Sequence, residues 1–218
     1  MNIELPENYD YRGQATVEDG ILKVDSKVYW KKLAYEIAIA VKGKKCWYCG
    51  KELEDYEITI DHLYPQSLGG LTIPENIAPS CGRCNNNKSN LTEFQYRHLL
   101  AAPSDEKGDI RRRFLARNHD KQIKKGFVLP KEWITHKRIT NILVTMETDK
   151  AYPYRKYGKI EKFYRQYARL PYPIIVDRKN YLLDGFLVLM FAKNNSISSI
   201  PVIELENVEY VFNTEQSG

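Results

Sequence analysis

The chain has no apolar run longer than residues 186–192, far short of the roughly 18–20 residues that a membrane span requires. It also lacks a basic opening followed by an apolar stretch: with Met-Asn-Ile-Glu-Leu-Pro-Glu at its start, no secretory leader is expected. Internal repeats and low-complexity tracts are missing. With 43% hydrophobic and 28% charged residues, the composition excludes collagen-like, disordered and disulfide-scaffold classes. The expectation is a soluble, cytoplasmic protein with no membrane partner, whose 218 residues form one large domain or two small ones.

Acidic residues are outnumbered, 28 against 33 lysines and arginines, for a net charge of +5. The surplus is uneven. Arg111, Arg112, Arg113, Arg117, Lys121 and Lys124 are opposed only by Asp109 and Asp120, whereas residues 202–218 carry Glu204, Glu206, Glu209 and Glu215 and no base. Positive charge therefore collects mid-chain, where a phosphate backbone would lie.

After an acidic, irregular opening, residues 26–41 place Tyr29, Leu33, Ile37 and Val41 four apart, which predicts an amphipathic helix ended by Gly43. Residues 92–100 and 107–124 also read as helical, and Gly126 with Pro130 marks a boundary. Beyond it comes a helix-compatible stretch from Trp133, then a tyrosine-rich basic segment at 150–169. An α/β pattern follows: strand at 172–176, turn at 178–180, strand at 181–183, helix at 186–193, strand at 200–205.

Cysteine is scarce: four residues, spaced as two pairs, Cys46-Trp-Tyr-Cys49 and Cys81-Gly-Arg-Cys84. In a cytoplasmic chain this spacing points to a tetrahedral structural zinc, with a redox pair or coincidence as the alternatives. The interval between the pairs exceeds the roughly 15–20 residues of a simple zinc ribbon. It holds Asp61-His62, Pro65, Gly69-Gly70 and Asn76, and Asn85 and Lys88 follow the second pair.

These residues together resemble the HNH endonuclease family in its four-cysteine form, over residues 46–88, with Asn85 in a position where many members carry histidine. Phosphodiester hydrolysis needs an activated water, a Lewis acid and charge stabilisation at phosphorus. Histidine titrates near neutrality, so His62 suits the general base. The resemblance implies that Asp61 and Asn85 hold one Mg²⁺ or Mn²⁺, and that Asn76 fixes the loop and orients His62. It also implies that the four-thiolate zinc staples a ββα unit without entering the chemistry. Taken singly, His62 reads as a structural histidine and Asp61 as a cap. His98, His119 and His136 read as surface or packing residues, and Asn86 and Asn87 either cap the helix or touch phosphate.

Lys88, Arg111, Arg112, Arg113, Lys121, Lys124 and Lys125 are the candidates for gripping a DNA backbone, and so are Arg155 and Lys156 in the tyrosine-rich segment. The competing readings are a solvated helix face for the first group and an amphipathic core face for Tyr157, Tyr164 and Tyr167.

Residues 172–205, with Asp184-Gly185-Phe186 and the Ile200-Pro201-Val202 strand, resemble the ParB/sulfiredoxin-like fold. Where nucleotide-binding members place polar and basic residues after that turn, this chain has Leu187, Val188 and Leu189, which cannot pair with phosphate. The resemblance then implies a scaffold or DNA-docking module. The expected fold class is α+β. A zinc-stapled ββα-metal nuclease domain with flanking helices spans 1–126, and a basic linker with a small ParB/sulfiredoxin-like α/β domain spans 127–218. The expected activity is metal-dependent DNA cleavage, and a double-strand cut would call for a homodimer or sequential events. The alternatives are a non-catalytic zinc-dependent DNA-binding protein and a nucleotide-sensing regulator.

Overall fold

The computed structural model of the chain describes residues 1–6, 9–125, 129–145 and 154–212. In chain order, β1 (Ala15–Glu18) and β2 (Ile21–Asp25) precede α1 (Trp30–Lys42). Then come β3 (Ile58–His62), β4 (Ile77–Cys81), α2 (Gly82–Lys88), α3 (Glu93–Ala101) and α4 (Lys107–Lys125). The last stretch holds β5 (Thr135–Arg138), α5 (Tyr154–Tyr167), β6 (Ile174–Asp177), β7 (Leu182–Asp184), α6 (Phe186–Asn194), β8 (Ser199–Leu205) and β9 (Val208–Val211). The chain divides into two compact units, Tyr35–Val128 and a discontinuous one made of Met1–Ala34 with Leu129–Gly218, the division falling inside α1.

In the Tyr35–Val128 unit, β3 and β4 form an antiparallel pair with Asp61 opposite Ala78 and Ile58 opposite Cys81. The core beside them gathers Cys46, Tyr48, Leu53, Cys84, Leu91, Tyr96, Leu99 and Ile110. Thr92 starts α3 with a capping box, its hydroxyl accepting from the Gln95 amide while the Gln95 side chain accepts from the Thr92 N–H. The basic helix α4 offers few apolar residues, so a polar link helps to hold it: buried Asn118 donates to the Asn90 carbonyl at 2.8 Å and accepts from Gln95 Nε2 at 3.0 Å.

The discontinuous unit contains a three-stranded sheet, β1-β2-β9, and a four-stranded sheet, β5-β8-β6-β7. β6 lies between a parallel partner (β8) and an antiparallel one (β7), and all four of its residues are buried. Its apolar character follows from that central place. α5 and α6 cover the larger sheet through Ile160, Val188, Leu189 and Phe191. The helices and strands expected over 172–205 occur where the pattern puts them, within one or two residues at their ends.

Three features depart from the sequence pattern. Residues 15–25, expected to be irregular, form the β1–β2 hairpin, and Asp19 (φ 51°) with Gly20 (φ 74°) makes its tight turn. An Asp-Gly pair between alternating apolar residues is a recognised hairpin signal. The stretch after Trp133, compatible with a helix, instead supplies β5, an edge strand of polar and basic residues recruited by β8. Tertiary pairing of this kind overrides local propensity. Finally, the expected 1–126 boundary leaves β2 among the nuclease elements, whereas β2 pairs in parallel with β9. No helix among the described residues is long and apolar enough to cross a membrane.

Asp177 holds the two sheets' ends in register. It is fully buried, and its carboxylate accepts from the backbone N–H groups of Lys179, Tyr181 and Tyr210 at 2.7–2.8 Å. Asp177→Ala leaves three backbone donors unpaired, that of Tyr210 buried and the other two half-buried, and is expected to destabilise this unit by about 2–3 kcal/mol, measured by denaturant unfolding with a probe in β6–β9.

Candidate active site and metal centre

The four cysteines come together from two places. Cys46 and Cys49 lie in the tight turn after α1, while Cys81 ends β4 and Cys84 sits on the first turn of α2. All four thiols are unbridged, and their sulfurs lie within 4.8 Å of one another, with Cys46 Sγ 3.8 Å from Cys81 Sγ. Tetrahedral zinc with Zn–S bonds of about 2.3 Å sets its sulfurs about 3.8 Å apart, so the donor set fits that ion. Burial opposes ionisation of Cys46, yet the backbone N–H groups of Cys81, Cys49 and Tyr48 bring its thiol down to about 6. Burial and the neighbouring thiols push Cys84 up to about 12. Left to themselves the sulfurs cannot all become thiolates, and a dication supplies the charge that lets them.

Asp61 and His62 close β3, Asn76 ends the 3-10 turn Pro74–Asn76, and Asn85 lies on α2. The hairpin register puts Asp61 three residues from the level of Cys81, about 10 Å along the strand, so the thiol cluster and the Asp61-His62 pair occupy opposite ends. Asp61 is buried. Lys88 Nζ sits 3.1 Å from its Oδ1 and 3.0 Å from its Oδ2, and Tyr48 Oη donates to Oδ2 at 2.5 Å. Asn85 is half-buried, and its Nδ2 faces the Ile60 carbonyl at 3.4 Å. His62 is half-buried, with Nε2 3.2 Å from Thr72 Oγ1.

Asn76 braces the loop between β3 and β4: its Oδ1 accepts from the Tyr64 N–H at 2.9 Å, and its Nδ2 donates to the Tyr64 and Leu71 carbonyls. The same loop explains Gly70. A Cβ there would lie 1.8 Å from the Tyr64 carbonyl oxygen, so only glycine lets the chain fold back onto residue 64. From α1, Lys42 Nζ donates to the Pro74 and Ile77 carbonyls at 2.5 and 2.7 Å and fixes the turn that carries Asn76.

Lys88, read from the sequence as a phosphate contact, is fully buried. It turns inward, to Asp61 and to the His62 carbonyl at 2.7 Å, and so is no surface group. Helical spacing carried this signal: residues 81, 84, 85 and 88 share one face, and Cys84 commits that face to the interior. Tyr48, Thr72 and Lys42 were missed altogether. Tyr48 counted only as a spacer between thiols, and the others carry no motif.

On α4, Arg112, Arg113, Arg117, Lys121 and Lys124 are exposed, and Arg113, Arg117 and Lys121 follow one another at four-residue spacing. Arg111 is half-buried and donates to the Asn87 carbonyl, Arg112 pairs with Asp109, and Lys124 pairs with Asp120. Lys156 is exposed on α5, while the side chains of Lys125 and Arg155 lie outside the described residues. Tyr157 and Tyr164 pack on Phe191 of α6, as a core face does.

Residues 46–100 match the family model described as HNH endonuclease, a stretch running from the first cysteine into α3. Together with the four-thiol cluster, the match supports a nuclease of the HNH type. Among solved structures, the chain is similar to a Pnob8-like ParB-N domain at 19% identity and a TM-score of 0.30, over 33% of this chain and 28% of that one. No curated protein matches.

The thiol geometry yields a direct expectation. Purified protein carries about one zinc per chain, and Cys81→Ser loses it together with the cooperative melting of this unit, read by metal analysis and calorimetry.

Proposed function

We propose that the protein is a metal-dependent HNH-type endonuclease acting on DNA. The observation supporting this reading is that Asp61 and His62 close β3 while Asn85 faces the Ile60 carbonyl of the same strand from α2, within the stretch that matches the HNH family. His62 takes the proton from the attacking water, and its contact with Thr72 sets the ring's orientation. Asn76 keeps the loop around His62 in place through Tyr64 and Leu71. Asp61 and Asn85 offer oxygen donors suited to Mg²⁺ or Mn²⁺. When bound, such an ion supplies Lewis-acid stabilisation of the phosphate. A carboxylate has about four lone-pair sites, so Asp61 can face Lys88 and Tyr48 and still present one to a cation.

The exposed row Arg113, Arg117 and Lys121, with Arg112 and Lys124 beside it, grips the phosphate backbone without reading sequence. We assign the four thiols to a structural zinc. The ParB-like part serves as a scaffold or docking module, since α6 begins Phe-Leu-Val-Leu and offers no charge to a nucleotide.

One observation favours the rival reading, a zinc-stabilised DNA-binding protein without activity: Lys88 and Tyr48 already engage both oxygens of Asp61. Plasmid cleavage separates the two. Relaxation or linearisation that requires Mg²⁺ or Mn²⁺ is expected, with His62→Ala reducing it at least a hundredfold while zinc content and gel-shift affinity hold. DNA retention with zinc bound and no cleavage under any divalent ion would establish the binding protein instead.

A further inference from the structure

Tyr48 stands between the zinc-type knuckle and the carboxylate proposed to hold the cation. It is the third residue of Cys46-Trp-Tyr-Cys49, so its backbone is held wherever the two thiols are held. Its N–H is one of the groups directed at the Cys46 sulfur. The knuckle is docked on β4 as well, by the Trp47 N–H donating to the Pro79 carbonyl at 2.9 Å. From there the ring is buried, edge-on to Tyr96 at 5.0 Å between centroids and 5.8 Å from the Arg97 guanidinium. Its hydroxyl reaches the far end of the hairpin and donates to Asp61 Oδ2.

We propose that Tyr48 is a positioning residue through which the four-thiol centre sets the orientation of the Asp61 carboxylate. The proposal rests on the nuclease reading for the role of Asp61, and it gives the knuckle a part in the chemistry beyond holding the fold. Lys88 pulls on both oxygens of Asp61, and a carboxylate left to that ammonium alone turns toward it. The phenol, held from the Cys46–Cys49 knuckle, limits that turn by its bond to Oδ2. Groups of this kind, one bond removed from a metal ligand, typically change metal affinity by about 10–100-fold when lost.

Tyr48→Phe removes the hydroxyl and keeps the ring packing. In the zinc-loaded full chain, Mn²⁺ binding followed by electron paramagnetic resonance is expected to weaken by about tenfold or more while zinc content matches the parent. Mn²⁺ binding equal to the parent's overturns the proposal. If the parent itself binds no Mn²⁺, the nuclease reading fails separately, and the contact is then judged from its other end. Asp61→Asn leaves the knuckle sequence intact, and because coupling of binding free energies is reciprocal it is expected to lower zinc affinity several-fold in equilibrium competition with a chelator. An unchanged zinc affinity overturns the coupling. The same arm decides the matter if Tyr48→Phe fails to retain zinc.

Discussion

A buried ammonium and a buried carboxylate each cost several kcal/mol to remove from water, and they persist inside a protein only when their hydrogen-bonding capacity is met. Lys88 and Asp61 meet that condition: the ammonium finds both carboxylate oxygens and the His62 carbonyl, and the carboxylate also receives the Tyr48 hydroxyl. The pair lies between α2 and β3, so it sets the distance and rotation of the helix against the strand. Where Asn85 sits relative to Asp61 follows from it. The half-buried His62 has its backbone pinned by the same ammonium.

The hairpin ends then carry different kinds of order. At the thiol end, four sulfurs within 4.8 Å of one another call for a cation. At the other end, side-chain bonds to the backbone brace the loop beside the Lys88–Asp61 pair: Asn76 ties down a loop that Gly70 allows to close, and Lys42 holds the next turn by its carbonyls. The loop beside His62 is thereby braced by an amide side chain and by a half-buried lysine whose pKa burial lowers.

Much of this was legible in the sequence because zinc-type spacing, an Asp-His pair and an Asn-containing turn each impose residue types at fixed intervals. The helices α1, α3 and α4 were legible from period and caps, and β6, β7, α6 and β8 from apolar runs between turns. The β1–β2 hairpin carried a usable Asp19-Gly20 signal that acidic composition masked. β5 carried none, since Thr135 to Arg138 become a strand only because β8 offers them an edge. Lys88 shows a further limit. A lysine beside a nuclease motif suggests phosphate, and that reading outweighed the helical spacing that sets Lys88 on the inward face with Cys84. Tyr48 was invisible because its partner lies 13 residues on and across a strand.

The parallel pairing of β2 with β9 joins segments from near the two ends of the described chain. Tyr35–Val128 is one continuous piece, whereas the other unit is interrupted by it. During synthesis, the continuous piece has all its residues available well before Val208–Val211 emerge, and β2 must wait without its parallel partner until then. Domains fold as units and distant strand pairing is slow, so the order of assembly is built into the topology: the continuous body with the four thiols forms first, and the sheet that the opening strands begin is completed last.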